Sequence, residues 1–226
     1  MIPLFVLGHF SHHIMTAITV PLIPFIRSAF SLDYAQSGLV VSAFSISYGI
    51  AQLPAGWLAD RIQPRTLMTL SISGVAVVGV MVGLSQTYVL MILFLVLMGL
   101  LAGGYHPSAP PLVLAAVKRE NLGKALGFHN IGGSASNSLT PLVAVAAANA
   151  LGWRNAYIAL AIPMIIFGIL FYIRLGHLTV RGKTDAGQGQ KIDDRIPDRP
   201  GQMRYLVIFL ILSTFTSALI HTTNSF

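Results

Sequence analysis

Long uncharged stretches alternate with short charged ones along this chain. No Asp, Glu, Lys or Arg occurs in 1–26, 34–59, 66–117, 125–153, 155–173 or 205–226. A bilayer core of about 30 Å is crossed by about 20 apolar residues of helix, so each stretch predicts at least one spanning helix. The stretch 66–117 would reach roughly 78 Å as a single helix at 1.5 Å per residue, too long for one crossing. The polar SQTY at 85–88 predicts a fold-back there. Seven spans result, over about 2–26, 36–59, 66–84, 88–116, 124–150, 154–174 and 205–226. The first lacks a positive leading region and a small-residue cleavage site, so it reads as a span and not as a cleaved signal peptide. Residues 176–203 are rich in Gly, Asp, Lys and Arg, the composition of a flexible linker.

Composition places these spans in a membrane. Only 9% of residues are charged and mean hydropathy is +0.74, against about 25% charged in soluble domains. The net charge of +7 does not point to nucleic acid, because the cations sit in loops of one side. Arg61, Arg65, Lys118, Arg119, Lys124, Arg174, Arg181, Lys183, Lys191, Arg195, Arg199 and Arg204 fall in one set of loops; only Arg27 and Arg154 fall in the other. Positive residues favour the cytoplasmic side, which predicts a multi-pass protein of the inner (plasma) membrane with its N-terminus in the cytoplasm. With no cysteine, disulfides, thiolate nucleophiles and Cys-bound metals are excluded.

Polar residues inside the spans carry the candidate chemistry. Span 1 holds His9, His12, His13, Thr16 and Thr19, at spacings that put several on one helix face. Span 4 holds Tyr105 and His106 ahead of Pro107, Pro110 and Pro111. Span 5 holds His129, Asn130 and Asn137, and span 7 holds His221. Intramembrane ionisable groups are costly and usually functional. No carboxylate lies inside any span and no H-E-x-x-H occurs, so no resident metal, no cofactor and no enzyme chemistry is expected. Pro21 and Pro24 in span 1, with the prolines of span 4, predict interrupted helices, a mark of transport sites near the midplane. The glycines and serines of span 5 predict close helix packing.

Span 2 ends in GWLADRIQPRTL, residues 56–67. This resembles the signature loop between spans 2 and 3 of the major facilitator superfamily. Gly56, Asp60, Arg61 and Arg65 match it; Gln63 and Pro64 depart from it. GGYHPSAP (103–110), GFHNIGGSASNSLTPL (127–142) and GWRNAY (152–157) follow in an order similar to that of the fosmidomycin-resistance-type efflux branch. The resemblance implies an all-α integral membrane fold. Residues 1–175 would form the N-terminal six-helix bundle, built of two inverted three-helix repeats. Residues 176–203 would be a cytoplasmic linker, and 204–226 the first span of a second half. It implies a secondary active transporter of a small organic solute or drug, coupled to protons. The cavity would take His9, His13, Tyr105, His106, His129, Asn130, Asn137 and His221, and Gly56, Asp60, Arg61 and Arg65 would form a conformational-switch loop. His9 matches a histidine of the efflux branch, while His13 stands where that branch places an acidic residue. The bare apolar end at Phe226 leads to the expectation of a truncated frame, inactive without its C-terminal half. Lipid, solute and protons are the expected partners. A histidine-based metal-ion transporter and a non-transporting seven-span receptor-like protein are the alternatives. Retinal attachment has no lysine in any span to use.

The uneven cations generate the first prediction. A tag in 176–203 is expected to be accessible from the cytoplasm and a tag at Gln86 only from the opposite face; finding both on one side contradicts the seven-span topology.

Overall fold

Each apolar stretch closes its backbone hydrogen bonds within itself, because lipid offers no partner. In the computed structural model, which describes residues 1–176, the result is six helical rods and, among the described residues, no strand. Span 1 is Ile2–Ala17 followed by Thr19–Phe30, span 2 is Tyr34–Ala59, and span 3 runs Pro64–Thr69, Leu70–Gly74 and Val75–Leu84. Span 4 is Tyr88–Ala102 followed by Tyr105–Ala116, span 5 is Leu122–Leu151 and span 6 is Trp153–Arg174. The chain divides into Met1–Lys183 and Thr184–Phe226, and the described residues belong to the first unit. All but the start of the 176–203 linker, the span over 205–226 and His221 lie outside the described residues.

Five rods, Ile2–Phe30, Tyr34–Ala59, Pro64–Leu84, Tyr88–Ala116 and Trp153–Arg174, are long and apolar enough to cross a membrane. Leu122–Leu151 has the length, 30 residues, but Gly, Ser and Asn dilute its apolar character. The rods extend past several expected ends. Span 1 reaches Phe30 because Arg27, treated as a loop charge in the sequence, stays helical: its Nε donates to the Leu32 carbonyl and its guanidinium covers the Tyr34 ring. Ser31, at φ 53°, closes the helix, and Asp33 opens span 2 with a capping box to Gln36. Arg154, the other cation of the sparse side, donates twice to the Ser85 carbonyl. Both thus serve to tie off backbone ends.

The prolines act at a distance of one turn. A proline lacks an N–H and its ring crowds the carbonyl four residues earlier. Span 1 is interrupted at Ile18, next to Ala17, the residue four before Pro21. Span 4 is interrupted at Gly103 and Gly104, and Gly103 is four before Pro107. Pro24, Pro54, Pro141 and Pro163 lie inside helices that continue. The sequence did not announce the π-helical turn Leu70–Gly74 in span 3, an irregularity often found at functional sites. Its Ser71 hydroxyl donates to the Leu101 carbonyl of span 4, and its Ser73 hydroxyl to the Ile165 carbonyl of span 6.

The tightest pairings are span 1 with span 5, span 2 with span 4, and span 3 with span 6. Exchanging 1 for 4, 2 for 5 and 3 for 6 leaves this list unchanged, the pattern that two equivalent three-helix units produce. One apolar cluster gathers Met15, Ile18, Leu22, Leu95, Met98 and Tyr157, among others. A second gathers Phe5, Met68, Ile72, Tyr105, Leu112 and Phe171. On span 1 the stretch His9–His13 lies between the two.

Spans 1 and 5 meet through Gly132 and Gly133. A Cβ on Gly133 would lie 2.6 Å from the His9 ring, and one on Gly132 would collide with the Val6 carbonyl. A Cβ on Gly127, by contrast, meets nothing within 4 Å. Gly133→Leu is therefore expected to destabilise the bundle by about 1–3 kcal/mol, the usual cost of overpacking. Gly127→Leu is expected to stay within about 0.5 kcal/mol of the parent. Denaturant titration in detergent, followed by helical circular dichroism, compares them; equal costs would contradict the close approach.

Candidate functional site

Spans 1, 4 and 5 bring five histidines and a tyrosine together where spans 1 and 4 are irregular. The His9 ring stacks on His129 of span 5 at 4.2 Å between centroids and on Tyr105 of span 4 at 5.3 Å. His106 stands edge-on to His9 at 5.6 Å and tilted to His13 at 5.8 Å. His9 and His129 are buried, Tyr105 is fully so, and His13 and His106 are half-buried.

The partners decide which nitrogen of each neutral ring carries hydrogen. A carbonyl can only accept, so His9 Nδ1–H donates to the His129 carbonyl at 2.8 Å. His9 Nε2 is then a bare lone pair, and His13 Nε2–H donates to it at 3.0 Å. His129 Nδ1–H donates to the Phe5 carbonyl at 3.1 Å. The backbones of spans 1 and 5 thus each accept from the other's histidine, and Ser136 adds a bond to the Phe10 carbonyl at 2.8 Å. The neutral cluster holds one hydrogen between His9 and His13, and no carboxylate stands inside the spans to balance a second.

His12 was left out of the expected cavity because it lies about 100° around the helix from its neighbours. The structure makes it the most enclosed of the three span 1 histidines. Its Nδ1–H donates to the Ser71 carbonyl in the π-helical turn at 3.0 Å, and its ring stacks on Tyr105 at 4.2 Å. His12 Nε2 and the Tyr105 hydroxyl are buried without a hydrogen-bond partner. Either end of such a buried group left unpaired costs about 1–3 kcal/mol, so the cluster keeps an unused acceptor and an unused donor behind its reachable face. The signal that could have found His12 was the small-residue and serine content of span 3 opposite it.

Asn130 and Asn137 occupy exposed positions on span 5 and make no side-chain hydrogen bond among the described residues. Neither touches the histidine rings through a recorded contact, so the structure gathers His9, His13, Tyr105, His106 and His129 and leaves the two asparagines apart.

The loop after span 2 differs from its expected form. Gly56 was read as letting a helix approach, yet a Cβ there meets nothing within 4 Å. It lines a groove of about 650 Å³ with Asp60, Arg61, Pro107, Pro110 and Leu126, among others. Among the described residues Asp60 and Arg61 do not pair. Arg61 instead covers the Trp57 ring at 3.7 Å and donates to the Trp57 carbonyl, because one turn of helix brings that aromatic face directly under it. Arg65 reaches the end of span 6, where its Nη1 donates to the Leu175 carbonyl at 3.4 Å and its guanidinium faces the Tyr172 ring. A cation at a helix C-terminus is favoured by the partial negative charge there.

This geometry can be set beside known proteins. A probable L-galactonate transporter of Escherichia coli (strain K12) is 27% identical over 148 residues, 66% of this chain and 33% of that protein. The multidrug resistance protein MdtG of Salmonella paratyphi B is 34% identical over 149 residues, 65% of this chain and 37% of that protein. This chain thus spans about a third of the length of these relatives. Among solved structures, a bacterial homologue of the human lysosomal transporter Spinster, inward-facing and occupied, superposes with a TM-score of 0.70 at 20% identity, over 80% of this chain and 44% of that one. The sequence model of the Major Facilitator Superfamily matches residues 5–226. That match runs through every span and is not confined to one loop, so the chain belongs to the Major Facilitator Superfamily and is a multi-pass membrane protein.

Proposed function

We propose that residues 1–176 form one wall of the solute path in a proton-coupled secondary transporter of a small organic solute or drug. The observation that carries this reading is the meeting of His9, His13, His106 and His129 from three spans in an interior without carboxylates. The relatives' names support the solute class: one is a probable transporter of a sugar acid, another a multidrug resistance protein. Histidine is the side chain whose ordinary titration range is physiological, and here it is the only such group within the described spans.

The hydrogen-bond chain gives the coupling a physical form. His9 is pinned to span 5 through Nδ1, and only its Nε2 faces His13. Neutral, the pair is bonded; a further proton places two donors nose to nose and parts the rings. Protonation would thus loosen span 1 from the histidine it leans on, and loss of the proton would restore the contact. The interrupted helices at Ile18 and at Gly103–Gly104 are where spans 1 and 4 would bend to follow. A second six-span half, beginning with 204–226, would supply the opposing wall. The groove at Gly56, Asp60 and Arg61, with Arg65 anchoring span 6, would be the cytoplasmic face on which that half rocks. The N-terminus would lie in the cytoplasm and the protein in the inner membrane.

In a complete transporter, His13→Ala and His9→Ala are expected to abolish solute transport driven by a pH gradient while solute binding at constant pH persists. His13 is the milder change, since its ring bonds only His9. If both variants retain full gradient-driven transport, the histidines are packing residues and the coupling is wrong.

A further inference from the structure

Three of the clustered rings share a property that the proton reading does not use. His9, His13 and His106 each offer a ring nitrogen, and these nitrogens all lie within 4.8 Å of one another. We propose that His9, His13 and His106 form a binding site for one borderline divalent transition-metal ion such as zinc, nickel or cobalt.

The outer shell is already built. A metal-bound histidine usually donates its other ring N–H to a carbonyl or carboxylate, which fixes the ring and its tautomer. His9 does so to the His129 carbonyl at 2.8 Å, which leaves Nε2 as the ligating lone pair. That nitrogen is 3.0 Å from His13 Nε2. Two ligands on one tetrahedral ion with bonds of about 2.0–2.1 Å stand about 3.3–3.4 Å apart. The pair therefore has to open by only a few tenths of an ångström, with the bridging hydrogen released as the metal enters. His106 closes the triad from span 4. Its ring makes no hydrogen bond among the described residues and is half-buried, so it can turn toward the ion without breaking another bond.

The donor set decides the class of ion. Imidazole nitrogens suit zinc, nickel, cobalt and copper, whereas magnesium and calcium require oxygen ligands; no carboxylate stands inside the spans to supply them. Three protein ligands leave a fourth position for water, an open site. Spans 1 and 4 carry the ligands and span 5 the orienting carbonyl, so occupancy would lock together the two interrupted helices. The inference shares its residues with the proposed solute path, but it concerns equilibrium binding and needs no transport.

The test is titration of the 226-residue chain in detergent with cobalt(II) alone. The wild type is expected to bind one equivalent with the intense visible bands of tetrahedral cobalt, displaced by zinc and not by magnesium. His106→Ala leaves the bonds of His9 intact and is expected to weaken binding by at least about 100-fold, more than the loss of an outer-shell partner costs. His106→Cys is expected to add a thiolate-to-cobalt charge-transfer band in the near ultraviolet, assignable without ambiguity because the chain has no other cysteine. Circular dichroism checks that both variants keep their helix. Absence of tetrahedral bands in the wild type, unchanged bands in His106→Ala, or cobalt bound to His106→Cys without the charge-transfer band would each overturn the site. Loss of gradient-driven transport in His9→Ala would leave this result untouched, so the two readings fail separately.

Discussion

The bond from His9 Nδ1–H to the His129 carbonyl is the constraint on which the rest of the interior depends. Between helices in lipid the hydrophobic effect gives little, and association rests on close packing and interhelical hydrogen bonds. Gly132 and Gly133 remove the side chains that would hold span 1 away. With spans 1 and 5 in contact, each backbone can accept from a histidine of the other. The same bond fixes the His9 tautomer, and so decides that His9 meets His13 as an acceptor. Packing, hydrogen-bond direction and site chemistry are here consequences of one close approach.

Spans 3 and 4 frame that approach from the other side. The π-helical turn at Leu70–Gly74 places the Ser71 carbonyl under His12 and the Ser71 hydroxyl on the Leu101 carbonyl, just before the break in span 4. Tyr105, at the restart of span 4, is stacked on both His9 and His12. The aromatic stack is therefore continuous from span 5 through span 1 to span 4. Its exposed edge is His13 and His106, the two rings without a backbone partner. Rigid support behind and mobile rings in front is the arrangement expected of a site that must change state.

The spans were legible because lipid allows few solutions: uncharged stretches of sufficient length must be helices, and the loop motif after span 2 named the family. The cavity histidines were legible because a charge-capable ring in such a stretch has no cheap alternative role. What the sequence withheld was direction. His12 was set aside on helix angle alone, yet the π-helical turn opposite brings a carbonyl to it. Gly56 was read as a packing glycine because the motif carries it, although in this bundle it borders open space. Arg61 was read as the partner of Asp60, but the Trp57 face one turn back is nearer to hand. Each miss concerns where a side chain turns among several neighbours, which spacing along one helix does not encode.

The most direct measurement of the central claim is the nitrogen-15 NMR spectrum of the chain labelled at histidine, with His9 assigned by substitution of the remaining histidines. At a pH where the ring is neutral, His9 is expected to carry hydrogen on Nδ1, coupled across the hydrogen bond to a carbonyl, with Nε2 showing the shift of a bare acceptor. Hydrogen on Nε2 with a bare Nδ1 would contradict the bond to His129, and with it the order of donors and acceptors on which the site is built.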